Sequence, residues 1–407
     1  MPEHEVANAI VPAAHDAFGR ARVAEPVTLF DSKQLHDSLP LMYDDQEVSG
    51  GSTTTTHSVA RASTTIGVAA TTAGKRVRQT FRRFNYQPGK SQLAFMTAVM
   101  GDHGDGIRAE IGLVDDNNGI YFYSADGVIG VGVRSSVSGS PVDRESPQSS
   151  WNMDKMNGAG GAQGNPSGLK LHPDKAQILV IDYEWLGVGT IRFGFVIDGY
   201  IHYVHRQNHA NIADSVYMST PNLPIRYSIE NDGTGAAASL EHICSTIISE
   251  GGMEDVGRQL YVSTGGVHLD ANSADTLYAA IGVRLKSTHL DSTVVLNSVS
   301  MLSESVADFE WVLLMNPTVA GTFTYGDITN ASLQKALGAT ANTVTGGYPL
   351  AGGYQAGGGN GSFSVPESPT LIIGSKIDGT PDEMVLCVRP LAANLDIQSS
   401  LTLREME

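Results

Sequence analysis

The sequence predicts an all-β protein, and three observations support this fold class. Short runs rich in apolar and β-branched residues alternate with turn residues at a spacing of about eight to twelve positions, as in antiparallel sandwiches. No long segment shows the 3.6-residue periodicity of a helix. Asp198-Gly199 lies between the alternating runs Ile191–Ile197 and 200–204, and an Asp-Gly pair supplies the positive φ angles of a type I′ hairpin turn. We therefore expect antiparallel sandwiches of a jelly-roll-like or lectin-like kind.

The length of the chain predicts more than one domain. The chain has 407 residues, of which 41% are hydrophobic and only 17% are charged, and a single core seldom extends over so many residues. Turn residues cluster at Ser249-Glu250-Gly251-Gly252. We expect an N-terminal arm over residues 1–60, one sandwich over 61–250 and a second over 251–407.

Each expected strand is a short apolar run bounded by turn residues. In the first sandwich the candidates are 77–84, 92–100, 107–114, 120–124, 128–133, 176–183, 189–197, 200–207, 225–229 and 241–249. In the second they are 258–263, 278–286, 293–302, 309–315, 370–373 and 384–389, with one short helix expected at 331–337.

The first 60 residues have the composition of an arm. They include a polar low-complexity linker at 49–56 and scattered apolar residues such as Phe18, Leu29 and Phe30. So few apolar residues cannot close a core of their own. We expect the arm to be ordered against a neighbouring subunit or against the body of its own chain, and to serve assembly. Removal of residues 1–50 is then expected to leave a folded body.

The net charge of −17 makes nucleic acid an unfavourable partner, because an acidic surface is repelled by phosphate backbones. The only basic cluster is Lys75-Arg76-Val77-Arg78-Gln79-Thr80-Phe81-Arg82-Arg83. Its cations fit an edge strand protected against edge-to-edge pairing. Contact with an acidic neighbouring subunit is the second interpretation, and DNA contact the third.

The two cysteines, Cys244 and Cys387, lie far apart in apolar runs and are expected to be buried free thiols of a protein made in a reducing cytosol. The N-terminus lacks the apolar segment of a secretion signal. No run approaches the length of a membrane span. Release by lysis of the host cell would explain a protein that acts outside the cell.

The sequence predicts no catalytic residue, cofactor or metal ligand. His103, in Asp102-His103-Gly104-Asp105-Gly106, fits a turn better than a catalytic base. The run from Asp115 to Asn118 offers oxygen ligands for a cation but lacks the EF-hand pattern, and Asn118-Gly119 suits a hairpin turn. His202, His205 and His209 are not spaced to converge along a strand. Trp151, Trp185 and Tyr183 could stack on sugars, although buried positions are commoner for such residues.

The Gly-rich tract 346–364 is the candidate contact loop. It carries Tyr348, Tyr354 and Phe363 among many glycines, and aromatic rings on such loops give contact area at a low entropic cost. We expect an extended loop or lid that packs on a neighbouring subunit. Contact with a host receptor is the alternative.

Segments of the first 252 residues resemble virion structural proteins of tailed bacteriophages. The similar segments are 16–23, 26–33, 82–91, 138–143, 148–155, 184–189 and 244–252. The resemblance covers residues 15–252, brings no catalytic residue, and does not extend into 253–407.

The resemblance implies a non-enzymatic component of the virion, such as a tail fibre, a decoration protein or a tail or baseplate subunit, assembled in the host cytoplasm. Its partners would be other virion proteins and copies of itself, with a trimer favoured by analogy. A receptor-binding or glycan-degrading virion protein is the alternative. The position on the particle stays open.

Overall fold

The computed structural model describes residues 24–160, 164–254, 256–358, 360–364 and 372–406. The described residues form antiparallel sheets and contain no α-helix, only two short 3₁₀ turns at Val59–Arg61 and Gln148–Ser150. In this part of the chain, no helix has the length and apolarity needed to cross a membrane. The expected all-β class is confirmed.

The first sandwich packs an eight-stranded sheet against a seven-stranded sheet. Its strands are β1 (Val27–Lys33), β2 (Tyr43–Gly50), β3 (Thr53–Ser58), β4 (Ser63–Val68), β5 (Gly74–Thr80), β6 (Gln92–Val99), β7 (Ile107–Val114), β8 (Gly119–Ala125), β9 (Val128–Ser135), β10 (Val142–Pro147), β11 (Gln177–Tyr183), β12 (Ile191–Ile197), β13 (Tyr200–Gln207), β14 (Ile225–Asn231) and β15 (Ala238–Ser249). The larger sheet has the order β13-β12-β11-β6-β15-β4-β3, and β1 also pairs with β15. The smaller sheet has the order β10-β9-β8-β7-β14-β5-β2.

The second sandwich packs a five-stranded sheet against a six-stranded sheet. Its strands are β16 (Arg258–Ser263), β17 (Leu269–Ala271), β18 (Tyr278–Leu285), β19 (Thr293–Ser303), β20 (Phe309–Met315), β21 (Thr318–Val319), β22 (Gly326–Asp327), β23 (Leu333–Leu337), β24 (Val344–Thr345), β25 (Tyr348–Gln355), β26 (Asn360–Ser364), β27 (Glu383–Pro390) and β28 (Leu395–Met406). The five-stranded sheet has the order β16-β28-β19-β26, with β17 also on β28, and the six-stranded sheet has the order β22-β23-β18-β27-β20-β25. The short strands β21 and β24 form a separate pair.

Each sandwich has its own core between its two sheets. In the first, inward-facing residues of β6 and β7, such as Met96 and Ile111, are fully buried in one cluster. In the second, Leu296 of β19 and Leu386 of β27 belong to another cluster. Period-2 alternation places every second side chain of a strand on the core face, so the apolar runs of the sequence become these two cores.

The hairpin expected at Asp198-Gly199 is confirmed. Asp198 and Gly199 have φ angles of 51° and 81°, and they join Ile197 to its pairing partner Tyr200 across β12 and β13. Both positive φ angles are those of a type I′ turn, whose twist matches that of the flanking strands.

Two glycines of β9 make room for tyrosine rings on the outer face of the smaller sheet. Gly130 and Gly132 pair with Tyr123 and Tyr121 of β8. A Cβ atom at either glycine would lie 2.5 Å from the ring of its partner. The tyrosines are buried because the absence of a Cβ lets each ring lie across the neighbouring strand.

The predicted arm needs correction over its described part. Strands β1, β2 and β3 belong to the sheets of the first sandwich, and Phe30 and Tyr43 are buried in its core. Deletion of residues 1–50 would therefore remove two strands and two core residues. The earlier part of the predicted arm, including Phe18, lies outside the described residues.

Two other expectations about local structure are wrong. The segment expected to form a helix near 331–337 contains β23, which pairs with β18. The basic cluster is not an edge strand, because β5 lies between β14 and the acidic edge strand β2. The expected strand 370–373 lies largely outside the described residues, although Ile372 forms an isolated bridge with Val295.

A buried arginine connects the N-terminal strands to the first sandwich. The Arg78 side chain is 1% exposed; Nη2 donates to Gln34 Oε1 at 3.0 Å and to the Ser38 carbonyl, and Nε donates to His242 Nδ1 at 3.3 Å. Its guanidinium also lies 4.3 Å from the ring centroid of Tyr43. These contacts join the segment between β1 and β2 to β5 and β15.

The same network continues through hydroxyl groups. Because Nδ1 of His242 accepts from Arg78, its Nε2 carries the proton and donates to Ser245 Oγ at 3.0 Å. Tyr227 and Tyr43 place their hydroxyls 2.8 Å and 3.4 Å from the same Oγ. Polar groups buried together in this way rigidify a core when they satisfy one another.

We predict that Arg78→Met destabilises the protein by about 3–5 kcal/mol, since its buried partners would lose their donor. The free energy of unfolding in urea measures the effect. Arg206→Met is the matched control, because Arg206 is exposed on β13, and a change within about 0.5 kcal/mol is expected there. A loss no larger than in the control would contradict the role assigned to Arg78.

We also predict an acid-sensitive stability that depends on His242. Burial, and secondarily the Arg78 charge, hold the pKa of His242 well below its ordinary value of 6.5. The unfolded chain therefore binds the proton more readily, so this stability is present above pH 6.5 and is lost as pH falls toward the lower folded-state pKa. The expected slope is up to about 1.4 kcal/mol per pH unit.

Comparison of wild type with His242→Gln isolates this contribution. Glutamine can accept from Arg78 and donate to Ser245 without titrating. Urea unfolding at several pH values between about 7 and 5 should show a shallower acid slope for the variant, with the other buried histidines as a common background. Equal slopes in both proteins would overturn the prediction.

Candidate functional site

The Gly-rich tract forms two edge strands, and not the expected loop. β25 pairs with β20 at the end of the six-stranded sheet, and β26 pairs with β19 at the end of the five-stranded sheet. One continuous segment therefore supplies an edge to each sheet of the second sandwich. We call β25 and β26 together the tract edge.

The tract edge carries no charge. Between Lys335 and Glu367 the sequence has no Asp, Glu, Lys, Arg or His. Natural edge strands are commonly protected by charged side chains, prolines or bulges, because their free N–H and C=O groups can pair with another strand. Of these devices, β25 has Pro349 and a register shift opposite Leu313/Leu314, but its remaining length is unprotected by charge.

Two of the three predicted contact residues are exposed on β25. Tyr354 is 74% exposed and Tyr348 is 42% exposed. The backbone of Phe363 lies in β26, opposite Val299, and its side chain lies outside the described part of the structure. The two exposed tyrosines thus stand on an ordered edge strand and not on a mobile loop.

A glycine of β25 allows a tryptophan of the neighbouring strand to pack closely against it. Gly353 pairs with Trp311 of β20, and a Cβ atom at Gly353 would lie 2.9 Å from Nε1 of that tryptophan. The indole is 8% exposed, so it is covered by the glycine backbone. This explains part of the glycine content that suggested a loop.

The predicted assembly residues of the arm are not available on the surface where the structure describes them. Phe30 is 5% exposed and packs against Phe84 and Tyr43, with ring centroids 5.1 Å and 6.0 Å away. Leu29 is partly exposed and packs on the same core. Both residues contribute to the stability of their own sandwich.

The basic cluster is neutralised by acids of the same chain, with one exception. Lys75 pairs with Glu230, Arg76 and Arg78 pair with Asp45, and Arg83 pairs with Asp115. Arg82 has no ion pair or hydrogen bond from its side chain to any described residue. Acids of the same chain therefore occupy most of the cluster, and contact with an acidic neighbouring subunit is not needed to pair these cations.

The Asp115–Asn118 segment is a turn held by protein donors. The Asp115 carboxylate accepts from the backbone N–H groups of Asn117 and Asn118, both at 2.7 Å, and pairs with Arg83. Asn118 Oδ1 accepts from Ser219. The Asp115 N–H donates to the Asn118 carbonyl at 2.8 Å, and Gly119 is the first residue of β8 and pairs with Val114. The centre of the hairpin turn therefore lies two residues before the expected Asn118-Gly119.

The histidines singled out from the sequence do not converge. His103 is buried and packs against Gly101, and burial lowers its pKa. His205 packs on Phe193 in the core, whereas His209 donates to the Gly189 carbonyl at 2.7 Å and stacks on Tyr217. His202, His205 and His209 form no common metal-ligand group among the described residues.

The aromatic residues considered as sugar platforms are mainly structural. Trp151 and Tyr183 are 2% and 1% exposed in the first core. Trp185 packs on that core and donates to the Met218 carbonyl at 3.1 Å. The two buried rings have no face open to a saccharide.

One group that the sequence analysis missed brings a histidine between carboxylates. His268 lies 3.0 Å from Asp270 through Nε2 and 3.0 Å from Glu304 through Nδ1, and Asp396 is opposite Asp270 across β17 and β28. The hydrogen bond to Glu304 is the main cause that raises the pKa of His268. His268, Asp270 and Asp396 could ligate a metal ion, but both ring nitrogens already face carboxylates and the group is largely exposed. This group was missed because its members lie on segments that are distant in sequence, so no local pattern indicates that they meet.

The two cysteines are free thiols, as expected, but only Cys387 is buried as predicted. Cys387 is fully buried, and burial raises the pKa of its thiol. Cys244 is partly exposed, and its Sγ donates to Thr97 Oγ1 at 3.2 Å. Because of its burial, Cys387 is not available as a thiolate nucleophile.

No protein-family model matches the chain, and no curated protein matches its sequence. Solved structures of β-sandwich proteins show a weak overall similarity. A legume lectin-like domain from Entamoeba histolytica is 10% identical, covers 54% of this chain and 97% of its own, and has a TM-score of 0.31. A peanut lectin with a bound peptide is 13% identical over 56% of this chain and 98% of its own, with a TM-score of 0.31.

A glycoside hydrolase family protein from Mycobacterium thermorestibile is 11% identical over 54% of this chain and 99% of its own, with a TM-score of 0.36. Similarities at this level assign neither a ligand nor an activity to the chain. The functional argument therefore depends on the chain's own residues.

Proposed function

We propose that this protein is a non-enzymatic structural component of a tailed-phage virion that acts through protein–protein contacts. The resemblance of residues 15–252 to virion structural proteins supports the class. The observation that carries the assembly role is the uncharged tract edge, where β25 and β26 end both sheets of the second sandwich.

An edge strand binds a partner through its backbone. Its outward N–H and C=O groups can continue the ladder into a strand of another chain, and its side chains then decide which partner fits. A charged edge would repel or misalign such a strand, whereas the tract edge presents only uncharged residues. The partner is another virion protein or a second copy of this chain.

Exposed aromatic rings support the same role. Tyr354 and Tyr348 project from β25, and tyrosine is enriched at protein interfaces because a rigid ring gives contact area and a hydroxyl gives a hydrogen bond. The same two rings favour a second candidate function, which is contact with a host-surface receptor. A trimeric arrangement remains an analogy to other virion components.

The test introduces a charge into the tract edge. Tyr354→Lys should reduce incorporation of this subunit into particles by about tenfold or more, because an unpaired cation would have to be buried against the partner strand. Tyr200→Lys is the matched control, since Tyr200 is 73% exposed on the edge strand β13 of the first sandwich. The subunit content of purified particles is measured by quantitative mass spectrometry.

Adsorption of the same particles to host cells separates the two candidate functions. If the double variant Tyr348→Ser/Tyr354→Ser assembles normally but its particles adsorb poorly, the tract edge serves receptor contact and not assembly. Normal assembly and normal adsorption of both the lysine and the serine variants would overturn both roles for the tract edge.

A further inference from the structure

A cavity lies between the two sandwiches. It has a volume of about 590 Å³ and is lined from both sides, mainly by apolar residues that include Phe30, Leu39, Met42, Phe81, Met315 and Leu350. This volume falls within the range of about 300–1,000 Å³ that small-molecule sites occupy. Leu41 and Tyr348 also line the cavity and are exposed, so it communicates with solvent beside them.

Hydrogen bonds between the sandwiches hold the two walls together. The Ser375 N–H donates to the Phe81 carbonyl at 2.9 Å, and the Ile377 N–H donates to Asp44 Oδ2 at 2.8 Å. On the first sandwich, the wall formed by residues 39–42 follows Ser38, whose carbonyl accepts from the buried Arg78. The cavity is thus built into the resting structure, and a ligand would not have to create it.

Arg82 provides a cationic group in this cavity, and no described residue supplies a counter-charge to it. It lines the cavity, its Nε is buried without a hydrogen-bond partner, and no described carboxylate lies within ion-pair distance of it. Its guanidinium lies 5.1 Å from the ring centroid of Phe84. Burial lowers the pKa of Arg82 to about 10, so the side chain is still a cation at neutral pH.

Arg82 differs in this respect from every other cation of the basic cluster. Lys75, Arg76, Arg78 and Arg83 all have carboxylate partners. Arg82 is partly exposed, and its Nε is buried without a partner, which is unfavourable. An arginine fork suits a carboxylate or another oxyanion. The guanidinium therefore defines the place of an anionic group.

The acids of the cavity restrict the ligand to one negative charge. Asp37 and Asp382 also line it, and both already accept hydrogen bonds: Asp37 from the Leu39 N–H at 2.7 Å and Asp382 from Asn316 Nδ2 at 2.8 Å. Burial raises the pKa of Asp382. A polyanion would meet these carboxyl groups, and a sugar would meet walls with few polar groups.

We propose that the cavity binds a small amphipathic monoanion, with its oxyanion head on Arg82 and its apolar body between the sandwiches. An aliphatic carboxylate is the simplest member of this class. The inference does not require the assembly role, since it depends on Arg82 and on a cavity that Tyr348 and Leu350 of β25 line only in part.

Titration of the purified full chain with decanoate, below its micelle-forming concentration, tests the proposal. Calorimetry should show saturable binding near one ligand per chain, and Arg82→Met should weaken it by about tenfold or more, the loss expected for a charge-assisted hydrogen bond. Arg206→Met, at an exposed position of β13, should leave the affinity unchanged. Decanol should bind at least about tenfold more weakly than decanoate to the wild type.

A second variant tests the apolar wall without changing the charge. Leu350→Trp would fill part of the cavity and should also abolish or strongly weaken decanoate binding, while urea unfolding checks that each variant is folded. No binding of decanoate to the wild type, equal affinity of wild type and Arg82→Met, or equal affinity for decanol would each overturn the proposal.

Discussion

The buried Arg78 is the constraint on which the N-terminal half of the structure depends. Its guanidinium contacts four acceptors, the Gln34 amide, the Ser38 carbonyl, the His242 ring and the Asp45 carboxylate, and lies over Tyr43. A charge at this depth is tolerated only when its hydrogen bonds are satisfied. The segment between β1 and β2 must therefore take the one course that supplies these acceptors, and that course forms one wall of the cavity between the sandwiches.

The second sandwich has a different organising feature, which is the sharing of one uncharged segment between two sheets. β25 and β26 belong to opposite sheets and both lie at an edge. Glycine allows this segment to pass from one sheet to the other and to lie close to Trp311. Tyr348 and Leu350 of β25 also line the cavity, so the proposed assembly edge and the proposed anion site share two residues.

Local sequence patterns predicted many of the central strands but did not predict several of the strands that lie beside them or at the sheet edges. The runs that became β6, β7, β11 and β12 alternate or are continuously apolar, and Asp198-Gly199 defined its hairpin, because turn chemistry and side-chain alternation are local properties. The strands β2, β3, β25 and β26 were missed because their composition is polar or glycine-rich. Such segments become strands when a neighbouring strand offers them a hydrogen-bonding ladder, and that neighbour is distant in sequence.

Residue patterns were sufficient to predict the all-β class, two groups of strands on either side of residue 250, and one cationic cluster in an acidic chain. Contacts in the folded chain determine which strand is an edge and which cation has no partner among the described residues. β5 was expected to be an edge strand, but β2 pairs with it. Arg82 differs from the other four cations of the cluster because those four are paired with acids from β2, β14 and the turn after β7. Edge position and charge pairing arise from contacts between remote segments, and no local pattern of residues encodes those contacts.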